Sequence, residues 1–122
     1  KYVWIEEENI GDDTLNVELN FDIATFEHII PQKTKENTHW KTDFDDDFRK
    51  NYTYKLGNFT LLTKSKNSSA GNADFETKKQ FYRKTNLGIT RELVNLSTID
   101  KEFFIERHQK IIETINKNLS MV

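Results

Sequence analysis

Thr25-Phe26-Glu27-His28-Ile29-Ile30-Pro31-Gln32 sets a carboxylate and an imidazole side by side at the end of an apolar run, with a proline closing it. In an extended segment neighbouring side chains point to opposite faces, so Glu27 and His28 cannot simply be each other's partner. Pro31 ends the run and stiffens the exit from it. A neutral imidazole is the usual general base near neutral pH, and a carboxylate is a natural ligand for a hard cation. A histidine beside an apolar run is by itself more often structural than catalytic. Residues about thirty positions further along the chain give this one its weight.

There the chain reads Leu56-Gly57-Asn58-Phe59-Thr60-Leu61-Leu62-Thr63-Lys64-Ser65-Lys66-Asn67, then Ser68-Ser69-Ala70-Gly71-Asn72. Gly57-Asn58 is a turn signal and Phe59–Leu62 reads as a strand. Lys64 to Asn72, rich in Lys, Ser, Asn and Gly, reads as a loop. Taken alone, Asn58 fits a turn residue after glycine as well as a functional amide.

The ordered set of His28, Asn58 and Asn67, the last nine residues after Asn58, resembles the His-Me finger (HNH) endonucleases. The runs EHIIPQ, LGNFTLL and KNSSAGN, with Phe75, Lys78, Lys79 and Tyr82 beyond them, resemble one branch in particular. That branch is the C-terminal nuclease domain of GmrSD-type, modification-dependent restriction enzymes. The similarity runs from about Tyr2 into the last helix.

The resemblance implies an α+β fold with a ββα-metal core, a β-hairpin plus helix holding one ion, and additional flanking helices. It implies His28 and Asn58 as catalytic residues, with His28 the general base and Asn58 fixing the loop that orients it. Glu27 and Asn67 are the implied metal ligands. Oxygen ligation favours Mg2+ or Mn2+ over zinc. Lys64, Lys66, Lys78, Lys79 and Arg83 are candidate phosphate contacts, whose plain alternative is solvated charge, and Tyr82 and Arg107 align with positions near the site. Asn72 is expected to brace the following helix. The first residue of the pair is Glu27 where the superfamily often has Asp or His, which favours the GmrSD-like branch and changes the reach of the ligand. The implied function is metal-dependent hydrolysis of DNA in a prokaryotic defence protein of the cytoplasm. An N-terminal nucleotide-hydrolysing recognition domain is the implied partner, outside this chain. A non-catalytic module on a degenerate nuclease fold is the alternative, and RNA is the alternative substrate, since no reader of base edges is visible.

Composition narrows the field. With 122 residues the chain has the length of one domain, read as a single nuclease domain over 1–122, and its opening Lys suggests a piece of something longer. There is no cysteine, which excludes disulfides and thiolate zinc sites. No stretch has the length of a membrane span or the pattern of a signal peptide. The net charge of −2 hides an asymmetry: residues 1–47 carry four Lys/Arg against thirteen Asp/Glu, and residues 48–122 carry fourteen against seven. Phosphate binding is largely electrostatic, so the basic second part is where a nucleic-acid backbone is expected to lie.

Periodicity and capping give the remaining elements. Residues 1–8 read as a helix end or short strand. Leu15, Val17, Leu19 and Phe21 alternate with polar residues as a half-buried strand or arm, and Ile23 to Ile30 forms the next extended segment. Trp40 is expected in the core, with His39 either on the surface or functional. Asp43, Asp45, Asp46 and Asp47 lack the spacing and glycine of an EF-hand loop and suit a helix N-terminus instead. Asp74 caps a helix from Phe75 to about Thr85, Gly88 ends that unit, and a short helix spans Ile89 to Asn95. Asp100 caps a long final helix whose stripe is Phe104, Ile111, Ile112, Ile115 and Leu119, with His108 on its face.

Overall fold

The computed structural model describes residues 24–120. The elements read over residues 1–8 and 15–21 lie outside them. In order, the described chain runs β1 (Ala24–His28), α1 (His39–Asp43), α2 (Asp46–Tyr52), a 3-10 turn (Leu56–Asn58) and β2 (Phe59–Thr63). It continues through α3 (Lys64–Ala70), α4 (Phe75–Tyr82), α5 (Gly88–Arg91), a second 3-10 turn (Glu92–Asn95) and α6 (Lys101–Ser120). The fold is α+β, with helices around a two-stranded antiparallel sheet.

The register pairs Ala24 with Thr63, Phe26 with Leu61 and His28 with Phe59. No tight turn joins these strands: residues 29–58, with α1 and α2, fill the connection. The sheet is therefore held by what packs on it rather than by a hairpin loop. Alternation along β1 places Glu27 in the interior and leaves Phe26 exposed. Ile29 and Ile30, just past the strand, are fully buried beside Trp40, Phe44, Leu62, Phe75, Tyr82 and Phe104. Trp40 also donates its indole N–H to the carbonyl of Ala73 at 2.7 Å, tying α1 to the entrance of α4.

Caps explain where the short helices start. Asp45 accepts from the Phe48 amide and Asp46 and Asp47 fill the first turn of α2, so those acids serve a helix N-terminus. Asp74 does the same for α4 through Thr77, and Asp100 for α6 through Phe103. Two sequence expectations need correction. Lys64–Ala70 is helix α3 rather than loop; Thr63 caps it and Gly71, at φ +47°, ends it. Its polar composition conceals it because only Ala70 is buried. Gly88 opens α5 instead of merely closing α4, which stops at Tyr82.

α6 docks on the turn before β2. A Cβ on Gly57 would lie 2.6 Å from the Cβ of His108 and 2.7 Å from the Phe104 carbonyl. Gly57 also donates its N–H to His108 Nδ1 at 3.2 Å. Gly57→Ala must therefore push α6 away, and thermal melting is expected to show a loss of about 1–3 kcal/mol. Beyond His108 the apolar stripe of α6 leaves the body, and Ile112, Ile115 and Leu119 are exposed.

Candidate active site

β1 carries Glu27 and His28 on opposite faces. His28 sits at its end, half-buried, its ring edge-on to Phe59 at 4.6 Å and to Tyr54 at 5.7 Å. Its Nε2 lies 3.4 Å from the amide nitrogen of Gln32. Burial, and next the charge of Lys78, push its pKa below the ordinary 6.5, so the ring is neutral at neutral pH.

Glu27 points the other way and is only 2% exposed. Its Oε2 accepts from Lys78 Nζ at 2.7 Å and from the Tyr82 hydroxyl at 2.8 Å. Lys78 and Tyr82 are four apart on α4 and share one helical face, which is how both reach the same oxygen. Burial pushes the Glu27 carboxyl up and the Lys78 ammonium down, while their mutual contact opposes both shifts. Tyr82 is pushed well above its usual value by burial, and next by Glu27, so it remains a donor. Lys78 also donates to the carbonyl of His28 at 2.7 Å. One ammonium thus grips both residues of the pair.

Asn58 is fully buried. Its Oδ1 accepts from the Ile30 amide at 2.7 Å, and its Nδ2 donates to the carbonyls of Ile30 at 3.0 Å and Thr53 at 2.9 Å. Its own carbonyl takes the Ile29 N–H at 2.9 Å. These bonds fix the chain leaving His28, so Asn58 acts on the imidazole through backbone rather than by touching it. Arg107, from α6, donates through Nη1 to the carbonyls of Gly57 at 2.8 Å and Phe59 at 2.7 Å, bracketing the same turn.

Asn67, on α3, reaches back to β1: its Nδ2 donates to Thr25 Oγ1 and to the Phe26 carbonyl, both at 2.8 Å. A carbonyl only accepts, so the amide nitrogen must face the strand and Oδ1 is directed elsewhere. Among the described residues, no three His, Asp or Glu side chains gather into a metal-holding group. The available donors are one carboxylate and one amide oxygen. Oxygen donors of this kind suit a hard cation rather than zinc.

The five basic candidates separate. Lys64 and Arg83 are exposed, and Lys66 is partly so, donating to the Lys84 carbonyl at 2.9 Å. Arg83 lines an open cleft of about 360 Å³ together with Arg91. Lys78 and Lys79 do not belong with them. Lys78 is buried on Glu27, and Lys79 is held by the Leu96 carbonyl at 3.0 Å and Glu76 at 2.8 Å. A chain-end amine reads as a surface charge in sequence, and here its stem crosses the core to a partner. The remaining undecided histidines are also accounted for: His39 accepts the Phe75 N–H and His108 the Gly57 N–H. Sequence reasoning missed the Glu27–Lys78–Tyr82 cluster, although the i, i+4 spacing of Lys78 and Tyr82 was its visible trace.

The family model for the C-terminal domain of GmrSD restriction endonucleases matches residues 1–114. No curated protein matches the chain.

Proposed function

The chain belongs to the family of C-terminal domains of GmrSD restriction endonucleases, and on that premise we propose that it hydrolyses DNA phosphodiester bonds with His28 as general base. In this reading β1, β2 and α3 are a ββα-metal core of the His-Me finger type. The observation that carries it is the reach of Asn67 from α3 to the Phe26 carbonyl of β1, the strand that ends in Glu27 and His28.

Hydrolysis needs an attacking water, a base to take its proton, and positive charge for the developing phosphorane and leaving oxygen. His28 is neutral and partly open to solvent, so it can orient a water and accept its proton. Lys78 holds the backbone at the His28 carbonyl and Asn58 holds it two residues on at Ile30, which keeps the position of the imidazole set before substrate arrives. Glu27 and the Oδ1 of Asn67 would hold one Mg2+ or Mn2+ ion, which supplies Lewis-acid charge at the scissile phosphate. Lys64, Lys66 and Arg83 offer solvent-facing charge for neighbouring phosphates. Recognition and nucleotide hydrolysis are assigned to an N-terminal domain outside this chain, in a cytoplasmic defence protein. Among the described residues, no helix is long and apolar enough to cross a membrane.

Nicking of supercoiled plasmid tests the reading. Cleavage is expected in Mg2+ or Mn2+, to stop when the ion is chelated, and to return when it is restored. Nicking that persists undiminished in chelator would remove the metal from the mechanism.

A further inference from the structure

We propose that Phe26 and Tyr54, with Phe59, form a stacking platform for unpaired bases beside His28, so that the domain takes DNA whose strand is single or locally unpaired at the scissile phosphate. The inference rests on the nuclease reading and names the state of its substrate.

The platform follows from the register of the sheet. Residues paired directly across antiparallel strands share a face. Ala24, Phe26 and His28 therefore stand with Thr63, Leu61 and Phe59, and none of these six is buried. The opposite face holds Glu27, Thr60 and Leu62, all buried. On the open face Phe26 meets Phe59 at 5.7 Å between ring centroids, and Phe59 meets His28 at 4.6 Å. His28 in turn meets Tyr54 at 5.7 Å. Phe26 is 64% exposed and Tyr54 67%. The imidazole is thus one ring in a row whose two end rings stand mostly in water.

Rings left in water forgo the burial that would stabilise the fold, and a run of them marks a contact surface. A phenyl ring has no hydrogen-bonding group, so it reads neither a phosphate nor a base edge. What it offers a nucleic acid is a face on which a base can stack. In a duplex the base faces are already stacked on one another; they become available when a nucleotide is unpaired and swung out. Charge selects the same occupant. The segments bearing the row, 24–35 and 53–73, hold five lysines and a single carboxylate, that of buried Glu27. Aromatic faces set among cations are how single strands are held. A protein seated on the row would cover the imidazole and shut out the water it has to activate. A strand stacked there instead brings its phosphate to it.

Fluorescence anisotropy of the full chain in chelator compares a labelled single-stranded oligonucleotide with the same sequence in a perfect duplex. The single strand is expected to bind about tenfold tighter. Phe26→Ala and Tyr54→Ala should each weaken single-strand binding about 5- to 100-fold and leave duplex binding within about twofold. Both side chains are exposed, so the melting midpoint should hold. Phe26→Trp should keep the affinity and Phe26→Leu should lose it, because leucine retains an apolar contact and lacks the face. A 2-aminopurine base in the strand should lose fluorescence on binding the wild-type chain and keep it with Phe26→Ala. Equal affinity for strand and duplex, or undiminished single-strand affinity in Phe26→Leu, would overturn the inference. Metal-dependent plasmid nicking decides the nuclease reading separately, so either can fail without the other. A wild-type chain that dimerises, with Phe26→Ala monomeric and oligonucleotide affinities unchanged, would make the row a protein contact and overturn the inference as well.

Discussion

His28→Ala is expected to lower the rate of metal-dependent plasmid nicking by about 10²- to 10⁴-fold, the range a positioned general base contributes. The fold should survive the change. The imidazole makes one weak side-chain contact, to Gln32 at 3.4 Å, and otherwise packs edge-on against Phe59 and Tyr54. No buried donor or acceptor loses its partner, so the thermal midpoint should move little. The pH profile separates chemistry from folding. The base works in its neutral form, and burial with Lys78 nearby lowers its pKa below 6.5. The wild-type rate should therefore be complete above that value and fall only as pH drops through the lower one. The variant should lose this acid limb along with the rate. A His28→Ala chain that nicks as fast as wild type, with the same limb, would end the assignment.

The legible part of this chain was its punctuation and its short runs. Asp45, Asp74 and Asp100 announced their helices because a capping carboxylate acts locally, through an amide three residues on. The strand bearing Glu27 and His28 and the strand from Phe59 were legible from apolar runs bounded by Pro31 and Gly57. Helix α3 was not, since a polar, Ser- and Lys-rich segment has loop composition unless one knows that Thr63 caps it and Ala70 packs. The fate of Lys78 was also hidden. Whether a lysine faces water or a carboxylate is settled by the approach of a helix to a strand distant in sequence, and composition carries no trace of that approach. Arg107 belongs to the same class, because its backbone acceptors at Gly57 and Phe59 come together only when α6 folds over the turn.

Lys78→Met is expected to destabilise the fold by about 3–5 kcal/mol, the usual result of leaving a buried ionic partner alone. Glu27 would keep only the Tyr82 hydroxyl, and the His28 carbonyl would lose its ammonium donor. Glu27→Gln in an otherwise wild-type chain should be damaging for the converse reason, since Lys78 would then be a buried cation without a counter-charge. The double variant Glu27→Gln/Lys78→Met removes both charges while leaving an amide oxygen to accept from Tyr82. It should therefore be more stable than the sum of the single changes implies, with a coupling of about 1–3 kcal/mol by denaturant unfolding. The double variant should also remain inactive, because an amide is a poorer cation ligand than a carboxylate. Recovery of stability without recovery of cleavage would separate the two roles proposed for this pair: a neutralised interior for folding, and an oxygen for the metal. Strict additivity of the two single changes would instead mean that Lys78 and Glu27 do not sense each other, and that each is held by its surroundings alone.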